Sequence, residues 1–198
     1  MNKDVVVASG NIGKLKEFQE IFLPFGVTII GQNSLSVPEA DETGLTFVEN
    51  AIIKARNAAK YTGKPALADD SGLEVDALNG APGIYSARYA GSHTSDRDNV
   101  QKLLSELNGN EQRRARFQCV IVYLRHEQDP TPLICQGTWE GTITHQPHGE
   151  NGFGYDPVFF VPQQHCTAAQ LSSDVKNRLS HRGQALSALI AALKIQPA

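Results

Sequence analysis

Short apolar runs and helical periodicities divide the first part of the chain into strands and helices. Residues 5–8 form an apolar run typical of a buried strand. Leu15, Phe18 and Phe22 are spaced for one face of a helix, and residues 27–30 predict the next strand.

A second helix and a strand follow. Thr46 and Glu49 have the spacing of a capping box at the start of a helix. Residues 66–68 predict a strand that leads into a turn at residues 69–72, and Val75 belongs to another short strand. The apolar stripe of the helix consists of Val48, Ile52, Ala55 and Ala59.

The second half of the chain mixes strands and helices in the same way. Residues 98–107 predict a helix, and the alternation over residues 117–123 predicts a strand. Residues 133–144 predict a hairpin that turns near residues 139–141, and residues 157–161 predict a last strand. The terminal helix places on one face Leu186, Leu189, Ile190 and Leu193. The mixture indicates an α/β protein whose partly antiparallel sheet carries a second lobe, with residues 1–198 forming a single domain.

Composition limits the classes of partner. The chain has 198 residues, 40% of them hydrophobic, and a net charge of -3, which suits an ordinary globular protein with no general attraction to nucleic acid or membranes. The apolar run after the N-terminus is too short for a signal sequence or a membrane span, so a cytoplasmic location is expected. Cys119, Cys135 and Cys166 have no metal-ligand spacing and are expected to be reduced thiols.

The first candidate site is a strand, a glycine-containing turn and a helix N-terminus, a geometry that directs backbone N–H groups and the helix dipole at an anion. A lysine adds a full charge one turn into the helix. The segment comprises Ser9, Gly10, Asn11, Ile12, Gly13 and Lys14. Leu15 replaces the Ser or Thr of a Walker A loop, so this is a different phosphate-binding pattern. A plain turn with a solvated lysine explains the segment equally well.

Two acidic pairs form the second candidate. Asp41 and Glu42, like Asp69 and Asp70, are predicted to lie in loops. Adjacent carboxylates need a cation or a strong donor nearby, and Mg²⁺ suits them because it binds one or two carboxylates together with substrate phosphates. For Asp41 and Glu42 alone, a solvated loop is the better interpretation.

Aromatic and basic residues near the C-terminus form the third candidate. The glycines around Phe153 allow close backbone approach and leave one ring face for stacking, although packing against the core is an equal alternative. Ser180 is a suitable N-cap for the last helix. His181 and Arg182 then lie in its first turn, where the dipole disfavours cations, which hints at a functional role. Lys54, taken alone, lies on a solvated helix face.

Taken together, these segments resemble the inosine triphosphatase family over nearly the whole chain. The most specific stretch is residues 68–91, ADDSGLEVDALNGAPGIYSARYAG. The motifs SGNIGK, ETGLTFVENAIIKA, GFGYDPVFF and SHRGQAL also occur in the family's order and spacing. Ser9 replaces the more usual Thr, and Asn151 stands where Gly is common, but neither change removes a required group.

The resemblance implies roles for individual residues. The triphosphate is held by Ser9, Gly10, Asn11, Ile12, Gly13, Lys14 and Lys54. Glu42 and Asp70 bind Mg²⁺, Asp70 is also the proton acceptor, and Ser71 lies beside the substrate. The base pocket consists of Phe153, Gly154, Tyr155, Asp156, Lys176, His181 and Arg182. Because a metal-bound carboxylate is a poor base, Asp69 is an alternative water-positioning residue.

The resemblance also implies the fold and the reaction. The fold is a long curved mixed β-sheet with flanking helices and two lobes around a central cleft, usually in a homodimer. The reaction is the Mg²⁺-dependent hydrolysis of dITP, ITP or XTP to the monophosphate and pyrophosphate, with at least one Mg²⁺ per subunit. A phosphotransferase and a non-catalytic nucleotide-binding module are the alternatives. The first lacks an obvious acceptor site, and four carboxylates would weaken simple triphosphate binding.

Overall fold

The computed structural model describes residues 4–193, in which seven strands and five α-helices are assigned. The strands are β1 (Asp4–Val7), β2 (Thr28–Gly31), β3 (Ala66–Val75), β4 (Arg114–Leu124), β5 (Leu133–Ile143), β6 (Phe159–Val161) and β7 (Cys166–Thr167). The helices are α1 (Ile12–Phe22), α2 (Phe47–Thr62), α3 (Asp96–Glu106), α4 (Ser173–Leu179) and α5 (His181–Leu193).

The seven strands form one mixed sheet in the order β2-β1-β3-β4-β5-β6-β7. β1 pairs in parallel with β2 and with β3. β6 pairs antiparallel with β5 and with β7. The α/β class and the mixed sheet predicted from the sequence are therefore confirmed.

The chain divides into two compact units. The first contains residues 4–70, 119–136 and 185–193 of the described chain, and the second contains residues 71–118 and 137–184. The expectation of a single domain stays a prediction.

The first unit buries both faces of its strands. In β1, Val5 and Val7 belong to one apolar cluster, whereas Val6 belongs to another, because successive side chains of a strand point to opposite faces. Phe18 of α1 and Leu186 of α5 pack in the first cluster. α2 packs in the second cluster through four small residues, Ala51, Ala55, Ala58 and Ala59.

The second unit has its own core. Phe117, Trp139 and Phe159 lie at its centre, and the Phe117 and Phe159 rings are 4.5 Å apart between centroids. Leu103 of α3 and the partly buried Val175 of α4 pack against the same cluster. This aromatic packing supports the segments that carry the basic residues described below.

β3 corrects two predictions. Asp69, Asp70 and Ser71 lie inside a continuous ten-residue strand rather than in a turn, and Val75 ends that strand instead of forming another. Aspartate is unfavourable in strands. Asp69 and Asp70 are nevertheless buried, each in an ion pair with a lysine, and these ion pairs offset the cost of burying the charges.

The predicted hairpin at residues 133–144 is wrong. β5 is one strand of 11 residues, and its alternation of buried and exposed positions continues through Trp139 and Gly141. Gly141 serves packing rather than a turn, because a Cβ there would lie 2.5 Å from the carbonyl oxygen of Phe160. The strand predicted over residues 157–161 is shorter, since β6 begins only at Phe159.

The helix signals are confirmed. Thr46 and Glu49 form both hydrogen bonds of a capping box at the start of α2. Ser180 precedes α5 and accepts a hydrogen bond at its Oγ from the Gly183 N–H, as an N-cap does. Among residues 4–193, no helix combines the length and the apolar character needed to cross a membrane.

Candidate active site

The glycine-containing segment joins β1 to α1 in the first unit. Asn11 is the N-cap, and its Oδ1 accepts a hydrogen bond of 3.0 Å from the Lys14 N–H. The Asn11 N–H donates to Ser9 Oγ at 3.2 Å. Gly10, Asn11 and Ile12 are exposed, so the end of α1 opens to solvent, where the helix dipole favours an anion.

Lys14 is held by a buried carboxylate. Its Nζ lies 2.9 Å from Asp69 Oδ2, and the Asp69 side chain has no exposed surface, whereas 16% of the Lys14 side chain is exposed. The ion pair therefore holds the Lys14 ammonium near the start of α1, where the helix dipole also favours an anion. A plain solvated lysine is therefore not what the structure contains.

Lys54 lies between two carboxylates. Its Nζ is 2.6 Å from Asp70 Oδ1 and 3.4 Å from Glu42 Oε1, and only 14% of its side chain is exposed. The interpretation of Lys54 as a residue of a solvated helix face is wrong, because the side chain leaves solvent to pair with β3.

The pair of Lys54 and Asp70 has shifted ionisation. Burial raises the pKa of the Asp70 carboxyl above its ordinary value, and the Lys54 charge opposes this only in part. Burial lowers the pKa of Lys54, but the charges of Asp70, Asp69 and Glu42 outweigh it and leave that pKa raised. The ammonium thus stays charged, and Asp70 gains affinity for a proton.

Asn50 is a site residue that sequence reasoning missed. It lies one turn before Lys54 on α2 and is 1% exposed. Its Oδ1 accepts from the Gly44 N–H at 2.8 Å, and its Nδ2 donates to the Gly44 carbonyl. Asn50 therefore fixes the loop that carries Glu42. Its position in the motif ETGLTFVENAIIKA, one turn before Lys54, was the signal that could have found it.

The donor chemistry of Glu42 and Asp70 fits a divalent cation. Both carboxylates converge on one positive charge, the Lys54 ammonium, so their oxygens already favour a cation at this position. Within the described residues, no group of three or more His, Cys, Asp or Glu could hold a metal ion. Two carboxylates supplemented by substrate oxygens and water match the usual coordination of Mg²⁺.

In the second unit, an internal ion pair organises the loop around Phe153. Lys176 of α4 lies 2.5 Å from Asp156 Oδ2, and the same carboxylate oxygen accepts from the Phe153 N–H at 2.9 Å. Gly152 has a φ of 79°, and a Cβ there would lie 2.1 Å from Asp156. Glycine is therefore required at this position.

Two cations lie against the Phe153 ring. Lys176 Nζ is 4.7 Å and Arg182 Cζ is 5.7 Å from its centroid, and 37% of the residue is exposed. Arg182 is 3% exposed and donates to Ser71 Oγ at 3.3 Å. A partly exposed ring bordered by buried cations suits a flat, polar-edged ligand.

His181 and Tyr155 are more deeply built into the unit. The His181 ring stacks on Phe117 with centroids 4.8 Å apart, and it is 7% exposed. Tyr155 is 4% exposed and donates its hydroxyl hydrogen bond to the Ser86 carbonyl at 2.8 Å. Burial raises the pKa of Tyr155, so the hydroxyl remains a donor.

The structure therefore groups the predicted site residues into two sets, one within each unit. The first unit holds Ser9, Gly10, Asn11, Ile12, Gly13, Lys14, Glu42, Lys54, Asp69 and Asp70. The second unit holds Ser71, Phe153, Gly154, Tyr155, Asp156, Lys176, His181 and Arg182. Asp41 is exposed, and within the described residues the ion pairs of the first set do not involve it.

Comparison with known proteins gives consistent matches. A model of the Ham1 family matches residues 5–192. The chain is 59% identical over 192 residues to a dITP/XTP pyrophosphatase of Shigella flexneri, covering 96% of this chain and 98% of the relative. It is 57% identical over 196 residues to a dITP/XTP pyrophosphatase of Vibrio cholerae, covering 98% of each.

Solved structures match as well. A HAM1 protein from Coxiella burnetii has a TM-score of 0.91 and 53% identity, covering 96% of this chain and 98% of that chain. A nucleoside-triphosphatase, dITP/XTP pyrophosphatase, from Mycobacterium abscessus has a TM-score of 0.75 and 42% identity, with 94% and 98% covered.

Proposed function

The chain belongs to the Ham1 family, and from that membership we propose that it hydrolyses the non-standard purine nucleoside triphosphates dITP, ITP and XTP or dXTP. The products are the nucleoside monophosphate and pyrophosphate. The resemblance found in the sequence is confirmed by relatives named dITP/XTP pyrophosphatase. The reaction removes deaminated purines from the nucleotide pool before they enter DNA or RNA.

One observation carries the chemical part of this proposal. In the first unit, two lysines are held in place by three carboxylates next to a helix N-terminus. A site for binding triphosphate alone gains nothing from buried carboxylates, because they repel the ligand. Carboxylates beside phosphate-binding lysines serve a reaction in which water must be oriented and charge must be balanced.

The phosphate-binding residues act on the leaving group. Lys14, Lys54 and the exposed amides at the start of α1 bind the β- and γ-phosphates. Negative charge accumulates on the departing pyrophosphate, so these donors stabilise the transition state more than the ground state. Asp69 holds Lys14 in place for this task.

Asp70 orients the attacking water and accepts its proton. Burial supports Asp70 rather than Asp69 in this role. The Asp69 side chain is fully buried against Lys14, whereas 11% of the Asp70 side chain is exposed and can meet a water molecule. The water attacks the α-phosphorus, and the bond to the pyrophosphate oxygen breaks.

Glu42 and Asp70 are the residues that would hold Mg²⁺, which when bound neutralises charge on the phosphates. Asn50 supports this set by fixing the Glu42 loop through Gly44.

The second unit binds the purine. Phe153 stacks on the base, and Arg182 with Lys176 supplies donors toward its edge. Hypoxanthine and xanthine present a 6-oxo acceptor there, whereas adenine presents an amino donor. A donor facing a donor leaves buried groups unpaired, a mismatch that can cost roughly 10⁴-fold in discrimination.

Product analysis tests the proposed function. The purified protein is incubated with dITP, XTP, ATP and GTP with Mg²⁺, and pyrophosphate, orthophosphate and monophosphate are measured. We expect pyrophosphate from dITP and XTP, loss of activity with a chelator and recovery with Mg²⁺. Orthophosphate and a diphosphate as first products contradict the scheme, a phosphorylated acceptor indicates a phosphotransferase, and no product indicates a binding module.

The resemblance also supports a homodimer in the cytoplasm as part of this proposal. Light scattering coupled to size-exclusion chromatography measures the mass directly. A mass near 21.5 kDa, that of one chain, contradicts the dimer.

A further inference from the structure

Asp96, which no motif identified, contacts the loop that carries Phe153. It is the first residue of α3, and its Oδ2 accepts a hydrogen bond of 2.6 Å from the Gly154 N–H. We propose that Asp96 is a positioning residue that fixes the Phe153 ring and thereby sets the affinity for the purine base rather than the rate of phosphate chemistry. The inference rests on the base-binding part of the proposed function.

Asp96 lies in the first turn of α3, which the buried side chain of Asn99 holds in place. Ser95 is the N-cap, and Ser95 with Asp98 forms both hydrogen bonds of a capping box. Asn99, one turn later, is 3% exposed, and its side chain accepts from the Ala90 N–H at 2.7 Å. The same side chain donates to the Ala87 carbonyl. The first turn of α3 is thus tied to the short helical segment Gly83–Arg88.

The same block holds the loop at a second point. Ser86 lies in the segment Gly83–Arg88, and its carbonyl accepts the Tyr155 hydroxyl hydrogen bond at 2.8 Å. Ser86 Oγ also accepts from the Leu73 N–H of β3 at 2.9 Å. Two consecutive residues after Phe153 are therefore tethered, Gly154 to α3 and Tyr155 to a segment anchored on β3.

The Phe153 ring depends on these tethers for its orientation. The residue is 37% exposed, so packing encloses it only in part. Its own N–H is bound by Asp156, and the next N–H, that of Gly154, is bound by Asp96. Gly154 has a φ of 61°, and because glycine has no Cβ its backbone has other conformations available unless a contact holds it. Loss of the Asp96 carboxylate leaves the ring to be ordered at the moment of binding, which weakens affinity.

The first test separates binding from chemistry. Asp96→Ala should raise KM for dITP about tenfold, as expected for one charge-assisted hydrogen bond, with kcat within about twofold of the wild type. Inhibition constants should follow the base: that of IMP rises as KM does, whereas that of pyrophosphate is unchanged. A fall in kcat with unchanged KM, or equal weakening of IMP and pyrophosphate, overturns the inference.

Asp98→Ala is the matched control. It removes a carboxylate from the same helical turn and the capping box, but it leaves the contact with Gly154 in place. Its thermal unfolding midpoint should fall at least as much as that of Asp96→Ala, while its KM stays at the wild-type value. If both variants raise KM in proportion to their loss of stability, Asp96 is only structural.

A double-mutant cycle tests whether Asp96 acts through the ring. In a Phe153→Ala background, Asp96→Ala should change KM by less than twofold, because the group that it positions is gone. Additive effects of the two substitutions contradict the inference.

The backbone contact can also be tested without any substrate. In ¹H–¹⁵N spectra of the unliganded protein, the Gly154 amide proton should shift upfield in Asp96→Ala and remain in place in Asp98→Ala. An unchanged Gly154 signal in Asp96→Ala overturns the role of Asp96 even in an active enzyme. If the wild type releases no pyrophosphate from dITP, the proposed function fails, and the spectra still decide the contact.

Discussion

The two clusters of charged residues have opposite balances. In the first unit, the carboxylates of Glu42, Asp69 and Asp70 outnumber the ammonium groups of Lys14 and Lys54. In the second unit, Asp156 forms an ion pair with Lys176, Arg182 adds a second cation, and both cations lie against the Phe153 ring.

The difference indicates which part of a nucleotide each cluster can bind. A triphosphate approaching an acidic cluster meets repulsion unless further positive charge comes with it, which supports the proposal that Mg²⁺ accompanies the substrate. A neutral purine approaching the basic cluster brings an aromatic face and oxygen acceptors, which cations and a ring bind without added charge. Substitutions in the acidic cluster should therefore affect chemistry, and substitutions in the basic cluster should affect binding of the base.

The largest expected effect tests the acidic balance. Asp70→Asn should lose about 100-fold or more in kcat with the fold intact, because the change removes a charge at almost constant volume. Steady-state pyrophosphate release measures it, and circular dichroism checks the fold. Asp76→Asn, at an exposed carboxylate just after β3, is the control and should keep wild-type turnover. Near-normal turnover in Asp70→Asn removes this residue from the mechanism.

The next effect tests whether Lys14 serves the phosphates. Lys14→Ala should lower kcat and raise KM, each by about tenfold, because the charge on the leaving group grows in the transition state. Lys16→Ala is the control in the same helix and should behave as the wild type. Lys16 is mostly exposed, and its ion pair with Glu20 is long at 3.8 Å. A pure KM effect in Lys14→Ala would mean that the lysine binds substrate and transition state equally.

The sequence predicted the elements whose signals are local. The apolar run of β1 and the capping box of α2 need only neighbouring residues, and both are present in the structure. The course of β3 through Asp69 and Asp70 could not be predicted in this way. Its acidic residues disfavour a strand locally, and the compensating charges come from Lys14 and Lys54, which are distant in the sequence.

The candidate site was predictable to a similar degree. Its motif residues fall into two spatial sets as their chemistry suggested, but the residues that hold them were not predicted. Asn50 and Asp96 bind backbone amides 6 and 58 residues away. Nearly every residue carries a backbone amide, so the sequence gives no signal for such a contact. The interpretation of Lys54 as a residue of a solvated face was wrong because its partner, the Asp70 side chain, lies on another element.

A smaller effect tests the base-binding side of the comparison. Phe153→Ala should weaken ITP and ATP alike, because stacking is indifferent to the edge of the base. Arg182→Ala should lower the ratio of kcat/KM for ITP over ATP by about tenfold, because it removes a donor to the 6-oxo group. Both ratios come from initial rates. An unchanged ratio in Arg182→Ala means that the start of α5 does not read the base.

The smallest effect separates functional from structural ion pairs within the first unit. Asp129 is 1% exposed and accepts hydrogen bonds from the Arg125 N–H, the Arg125 side chain and the Thr131 N–H, so it closes the connection between β4 and β5. Hydrogen bonding from the Arg125 side chain holds the pKa of Asp129 well below its usual range, although burial opposes this.

Asp129→Asn should therefore lower the unfolding midpoint at pH 7 by about 3 °C and leave kcat and KM unchanged. A carboxyl with a lowered folded pKa contributes stability that is fully present above its unfolded pKa, about 3.9, and is lost as the pH falls toward the folded value. The difference between the wild type and Asp129→Asn should thus be constant from pH 7 to about 5 and shrink below about pH 4. Scanning calorimetry across this range measures it. Impaired turnover in Asp129→Asn, like that expected for Lys14→Ala, would contradict this distinction. The ion pairs of the first unit could then not be divided into catalytic pairs and structural pairs.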